Sequence, residues 1–188
     1  MKKTRKFSEG LLDDERILAC LDIGAGQTIV DAGCGSGYMA LKFSQRVGPD
    51  GKVYALDTNE GFIANLRKEV ENTNIEVLVG DITRPTVLED ASIDLVYLSA
   101  VFHIFSEARI EGFVKEVKRI LKPEARLAIV NLNKEETPFG PPIERRSSPE
   151  ELIRKLPFAP RQLIDAGEHF YMQIFRNVVV GRQGLKFS

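Results

Sequence analysis

The chain has 188 residues, of which 43% are apolar and 28% charged, the profile of one ordinary globular domain, residues 1–188. Its 26 basic and 27 acidic side chains leave a formal net charge of -1. That balance gives no general pull toward nucleic acid or an anionic membrane, so neither is expected as a partner.

Residues 1–10 begin with a basic cluster (Lys2, Lys3, Arg5, Lys6) that reads as a solvated tail. From residue 8 to 21, Leu11, Leu12, Ile17, Leu18 and Leu21 recur near helical spacing and predict an N-terminal helix over about 11–22. Gly24-Ala25-Gly26 is a linking turn before a first strand at 28–32. A helix over 37–47 stops at Gly48-Pro49-Asp50-Gly51 and a second strand follows at 52–57. Next come a helix over 59–71, a third strand at 75–79 and a fourth, nearly all apolar, at 93–99. An amphipathic helix over 107–121 ends at Lys122-Pro123, ahead of a fifth strand at 126–131. Residues 134–147 are a polar, Pro-rich flap. Ser148-Pro149-Glu150-Glu151 has the form of a capping box and starts a helix that ends near Pro157. Two strands, about 161–165 and 169–180, close the chain. Five alternations of strand and helix predict a doubly wound parallel sheet with helices on both faces, binding its ligand at the carboxyl ends of the strands.

Cys20 and Cys34 are too few for a disulfide framework and show no C-x-x-C spacing, and His103 and His169 are not at metal-ligand spacing. No metal is therefore expected. No apolar run approaches the ~20 residues of a membrane span, and no signal-peptide stretch opens the chain, so the expected location is cytoplasmic.

The sharpest motif is Val30-Asp31-Ala32-Gly33-Cys34-Gly35-Ser36-Gly37, placed where the first strand gives way to a helix. Glycine allows a tight turn there, and the helix directs free N–H groups at whatever binds. The spacing is Gly-x-Gly-x-Gly, not the Gly-x-Gly-x-x-Gly of dinucleotide sites. Asp31 would repel a diphosphate but not a zwitterionic or cationic ligand. Asp57 ends the second strand, where a carboxylate can accept both hydroxyls of a ribose. Asp81, in Gly80-Asp81-Ile82, ends the third and can accept a hydrogen bond from an adenine amino group.

Taken in order, the glycine loop, Ala55-Leu56-Asp57, Gly80-Asp81-Ile82, Ile93-Asp94-Leu95-Val96 and Arg119-Ile120-Leu121-Lys122-Pro123 resemble the successive motifs of class I S-adenosylmethionine (SAM)-dependent methyltransferases. They are most similar to the small-molecule group related to quinone-ring C-methyltransferases. The resemblance implies a Rossmann-like seven-stranded sheet of order 3-2-1-4-5-7-6 with strand 7 antiparallel. It implies SAM as cofactor and S-adenosylhomocysteine as product. Gly33, Cys34, Gly35 and Gly37 would cradle the methionine part, with Asp31 at its amino group. Asp57, with Thr58 beside it, would hold the ribose; Asp81 and Ile82 would meet the adenine, and Ser99 would face the methyl group. One departure stands out: Glu124-Ala125 occupies the place where the family usually has Gly-Gly after Leu-Lys-Pro, which predicts a turn of different shape.

The acceptor side is less determined. His103 follows the fourth strand, where it is open between a catalytic base, a helix cap and a solvated side chain. Tyr38 could touch cofactor or acceptor or simply pack, and Cys34 reads as an inert loop thiol. Phe7, Phe102, Phe105 and Phe139 would line an acceptor pocket. Arg145 could bind an acidic acceptor, but with Arg146 it reads more readily as a solvated pair. The expected activity is methyl transfer by in-line displacement to a small-molecule acceptor. A SAM-binding regulator or subunit without catalysis and a NAD-type oxidoreductase are the alternatives, and a homo-oligomer is compatible with everything above.

Overall fold

A computed structural model of the chain describes residues 10–178. The basic tail, Phe7 and the last two positions of the expected final strand lie outside the described residues. The first helix, α1 (Asp14–Leu21), starts later than its apolar spacing suggests. Asp13 caps it, its side chain accepting from the Arg16 amide at 3.1 Å, and Asp22 ends it in the left-handed conformation. Leu11 and Leu12 precede the helix in a turn.

Then follow β1 (Thr28–Ala32), α2 (Tyr38–Val47), β2 (Lys52–Asp57), α3 (Glu60–Glu69), β3 (Ile75–Val79) and β4 (Ile93–Ser99). A 3-10 turn at Phe102–Ile104 leads into α4 (Glu107–Ile120) and β5 (Leu121–Leu132). A second 3-10 turn, Ile143–Arg145, lies in the flap, before α5 (Pro149–Lys155), β6 (Ala159–Gly167) and β7 (Phe170–Arg176). The first four strands have the bounds their apolar runs predict. The capping box of α5 is complete, with Ser148 and Glu151 each bonded to the other's amide.

The strands form one sheet of order β3-β2-β1-β4-β5-β7-β6. β7 runs antiparallel to both β5 and β6, and the other pairings are parallel. Alternate side chains therefore build two separate apolar layers. One face packs Ile29, Ala55, Leu95, Tyr97 and Val130 under α1, α2 and α3. The other packs Val30, Leu56, Val96, Leu98 and Ile129 under α4 and α5. With both faces covered, the carboxyl edge of the parallel strands is the side where chain-linking loops converge.

β5 begins five residues before its expected start. The Leu121-Lys122-Pro123-Glu124-Ala125 segment is not a detached turn but a bulged extension of the strand, with a register shift against β4 between Ile93 and Leu95. Glu124 takes φ 63, the left-handed region. The Glu124 amide donates to the Asn177 carbonyl at 2.9 Å, and the Asn177 amide donates to the Ala125 carbonyl at 2.8 Å. These bonds hold the left-handed turn that glycine makes freely, on a residue that bears a Cβ, at a cost of roughly 1–2 kcal/mol. Glu124→Gly is accordingly expected to raise the melting temperature by a few degrees, offset in part by loss of the exposed Glu124–Arg176 ion pair at 3.3 Å. An unchanged or lower melting temperature in calorimetry would show that the strain is absent.

Candidate functional site

The loop between β1 and α2 carries three left-handed glycines, Gly33 (φ 72), Gly35 (φ 52) and Gly37 (φ 79). Their reasons differ. A Cβ on Gly33 would lie 2.5 Å from Val101, and one on Gly37 would lie 2.4 Å from Leu66. A Cβ on Gly35 would meet nothing within 4 Å, so the backbone there borders open space. The loop's own amides are largely engaged: Gly33 and Cys34 donate to the Leu56 carbonyl at 2.7 and 3.0 Å, and Gly37 donates to the Cys34 carbonyl at 2.8 Å.

Asp57 sits at the end of β2 directly beside this loop. One carboxylate oxygen accepts from the Gly35 amide and the other from the Asn59 amide, both at 2.8 Å. The acid therefore shapes the glycine loop. Thr58 beside it is exposed. Asp81, after β3, is also engaged. Its Oδ1 accepts from the Thr83 amide (2.9 Å) and hydroxyl (2.7 Å), and its Oδ2 lies 3.1 Å from the Arg109 guanidinium. Burial works against the charged form, but the Thr83 bonds and Arg109 outweigh it and hold this carboxyl below its ordinary range. Asp81, Thr83, Arg84, Ala108 and Arg109 line an open cleft of about 410 Å³. Ile82 is buried in the layer under α4, so its side chain offers little surface to a ring.

Asp31 is 3% exposed, and its Oδ2 has no hydrogen-bond partner among the described residues. Burial pushes its carboxyl up to about 7; the Ala40 amide at the start of α2 pulls the other way, and the charge of Asp57 adds to the rise. An acid whose pKa rises on folding keeps its proton in the native state while the unfolded chain has released it. Native stability from this group is thus full below pH 4 and falls as pH rises toward 7, by up to about 4 kcal/mol. Asp31→Asn is expected to make the ligand-free protein more stable than wild type at pH 8 and equal to it at pH 4. Urea unfolding at the two pH values checks this; the same difference at both would rule it out.

Cys34 is buried, and burial together with the charges of Asp31 and Asp57 pushes its thiol far above the ordinary range, so it stays protonated. Ser99 is half-buried at the end of β4. It is followed by Ala100 in the left-handed region (φ 55), whose amide donates to the Val130 carbonyl at 2.9 Å.

Toward the expected acceptor side, His103 shares a small pocket with Asn131, Leu132, Pro141, Arg146 and Ser147. Burial, then the positive charges of Arg145 and Arg146, lower its pKa below the ordinary value, so the imidazole is neutral at pH 7. Tyr171 orders the floor: its hydroxyl donates to the Ser147 carbonyl at 2.6 Å and accepts from Asn131 at 3.3 Å.

The two neighbouring arginines part company, and the solvated-pair reading fails for one of them. Arg145 is exposed, whereas Arg146 is 6% exposed and spends its guanidinium on four backbone carbonyls, those of Asn133 before the flap and of Glu135, Phe139 and Pro141 within it. Phe102 also differs from expectation. It is 2% exposed and packs edge-on against Phe105 and Phe113 beneath α4, leaving little surface for an acceptor. Phe139 stacks on Phe170 at 6.2 Å. Tyr38, the first residue of α2, points its hydroxyl at Asp14 of α1.

Three of these residues escape sequence reasoning: Asp14, Arg109 and Asn131. Only Asp14 carried a signal, as an acid in the first turn of a helix. Among the described residues, no group of three or more His, Cys, Asp or Glu side chains is arranged to hold a metal ion, and no helix is long and apolar enough to cross a membrane.

Comparison with known proteins gives a consistent result. The family described as "Methyltransferase domain" matches residues 29–124, from β1 to the bulge of β5. A SAM-dependent methyltransferase from Aquifex aeolicus has a similar crystal structure, with TM-score 0.82 and 30% identity over 91% of this chain and 93% of that one. A SAM-dependent methyltransferase from Methanosarcina mazei (TM-score 0.69, 18% identity, 87% of this chain and 97% of that one) shares the fold. Among curated proteins, the ubiquinone/menaquinone biosynthesis C-methyltransferase of Escherichia fergusonii is 29% identical over 119 residues, 61% of this chain and 46% of that protein. The chain spans about a third to a half of the length of the first curated relatives it matches.

Proposed function

From its membership in the class I SAM-dependent methyltransferase family, to which this chain belongs, we propose that the protein transfers a methyl group from SAM to a small-molecule acceptor. The observation that carries the reading is the glycine loop and Asp57 acting as one unit. Gly35 borders open space while its amide is fixed by the acid that would take the ribose. The residues fit the family's cofactor. Gly33, Gly35 and Gly37 would receive its amino-acid part, and Asp31 has a buried oxygen left to accept from an ammonium group. Asp57 would orient the ribose. Asp81, already held by Thr83 and Arg109, would take the adenine amino group on a lone pair that remains.

When bound, SAM supplies a methyl group on a positively charged sulfur, already activated for displacement. The protein's own tasks are then alignment, exclusion of water and, for a protic acceptor, removal of a proton. Alignment alone contributes about 7–11 kcal/mol in favourable cases. The flap and the Phe102–Ile104 turn stand at the carboxyl edge and would close over the acceptor. His103, neutral at pH 7, would take the proton on its imidazole.

Thermal unfolding with SAM, S-adenosylhomocysteine and NAD tests the cofactor. At 100 times Kd, a bound ligand adds ~2.7 kcal/mol, and the expected result is a shift with the first two and none with NAD. Transfer from labelled SAM into metabolite fractions tests the reaction, and its absence alongside SAM binding would favour a regulatory protein. His103→Ala is expected to reduce turnover about 100-fold or more with SAM binding intact; unchanged turnover would remove His103 from the reaction.

A further inference from the structure

Three buried side-chain oxygens lack a hydrogen-bond partner among the described residues: Asp14 Oδ1, Asp31 Oδ2 and the Tyr97 hydroxyl. Buried polar atoms in folded proteins are nearly always partnered, so each such atom calls for an explanation. These three come from α1, β1 and β4, yet they belong to one neighbourhood. Asp31 and Tyr97 are register partners on the paired strands β1 and β4, with side chains on the same face. The Tyr97 hydroxyl interacts with the Ser99 side chain, short of full hydrogen-bond geometry, and feels the charges of both Asp31 and Asp14. Asp14 is bound to the end of the glycine loop, because its other oxygen accepts from the Tyr38 hydroxyl and lies 3.5 Å from Lys42, one turn further along α2.

The charges around this point are unequal. Asp14, Asp31 and Asp57 contribute three carboxyl groups, the buried one of Asp31 ionising less readily than the others, and among the described residues Lys42 is the cation in contact, on the Asp14 oxygen that is already partnered. Two of the oxygens left over are carboxyl oxygens that accept, and the third is a hydroxyl that accepts on its free lone pairs; a donor arriving from outside would serve all of them. A compact cation with several N–H groups suits all three.

We propose that Asp14 and Tyr97 join Asp31 in forming the seat for the ammonium group at the amino-acid end of the cofactor, which makes α1 part of the cofactor site. The proposal rests on the SAM reading above and adds two residues to it. Asp14 and Tyr97 then act by binding and positioning, at a distance from the transferred methyl.

Two ligands separate this role from a structural one in calorimetric titration. S-adenosylhomocysteine carries the ammonium group, and 5′-methylthioadenosine lacks the whole amino-acid part. Asp14→Asn is expected to weaken S-adenosylhomocysteine about tenfold or more, as loss of a charge-assisted contact should. It should leave 5′-methylthioadenosine within about twofold. Tyr97→Phe keeps the ring that packs edge-on against Phe43 at 5.1 Å and deletes the hydroxyl. It should raise the melting temperature of the ligand-free protein and still weaken S-adenosylhomocysteine alone. Such opposite signs do not follow from damaged packing. Equal weakening of both ligands by either variant would overturn the proposal, since it would mean that α1 or the core had merely shifted. No weakening of either ligand would overturn it too, leaving the three oxygens to water. If the wild-type protein binds neither ligand, the cofactor reading itself fails, an outcome distinct from the other two.

Discussion

Replacing Asp57 by alanine is expected to abolish the SAM-induced rise in melting temperature while leaving the ligand-free chain folded. The carboxylate has two jobs at one place. Its oxygens accept the Gly35 and Asn59 amides at 2.8 Å each, and the proposed function gives the same group the ribose. Alanine removes the acceptor and also releases the middle of the glycine loop. A hydrogen bond to a charged group contributes about 1.5–3 kcal/mol, so losing two such contacts to ligand weakens binding at least a hundredfold. The fold has less at stake. Gly33 and Cys34 stay anchored on the Leu56 carbonyl, and Asp57 is half-buried at the sheet edge. Asp57→Asn, which keeps one acceptor oxygen, should fall between the two. A full SAM shift in Asp57→Ala would mean that the ligand sits elsewhere.

Arg146→Met is expected to loosen the flap and to cost about 3 kcal/mol, through carbonyls left without a donor. Arg146 is nearly inaccessible to water. Its Nε donates to the Pro141 carbonyl at 2.8 Å, one terminal nitrogen donates to Asn133 and Glu135 at 3.1 and 2.8 Å, and the other donates to Phe139 at 3.2 Å. These four acceptors run from the end of β5 to Pro141, so a single side chain holds the first half of the flap. For a chain of this size the melting temperature should fall by roughly 6–12 °C. Limited proteolysis should open a cleavage site between residues 133 and 146 before global unfolding. The substitution also removes a positive neighbour of His103, so the imidazole should titrate closer to its ordinary value. An unchanged melting temperature with no new cleavage would show that the flap is held by other means.

The parallel core of the sheet was legible because its strands are short apolar runs bounded by glycine, proline or polar turns. The bounds of β1, β2, β3 and β4 follow from that pattern alone. β5 was not, because its first residues depend on a left-handed Glu124 held by the Asn177 pair, a contact between positions far apart in sequence. α1 shows the limit of periodicity: Leu11 and Leu12 fit a helical stripe, but Asp13 captures the first amide and starts the helix after them. The places of Asp31, Asp57 and the glycines in the fold could be read because each lies at the end of a strand or fills a turn that needs it. Tyr97 could not. In sequence it is one residue of an apolar strand, and its meaning comes from standing beside Asp31 across two strands. Arg146 was misjudged for a related reason, since its four partners are backbone carbonyls and leave no trace in residue type.

The bonds that fix the glycine loop bear on how fast a ligand can be captured. The Gly33, Cys34, Gly35 and Gly37 amides are already committed, so a ligand held there, as the proposed function has it, would cost little chain entropy on docking. Capture at that end can approach the rate of a rigid encounter. A slower step would then fall to the flap, which one buried guanidinium holds by its carbonyls.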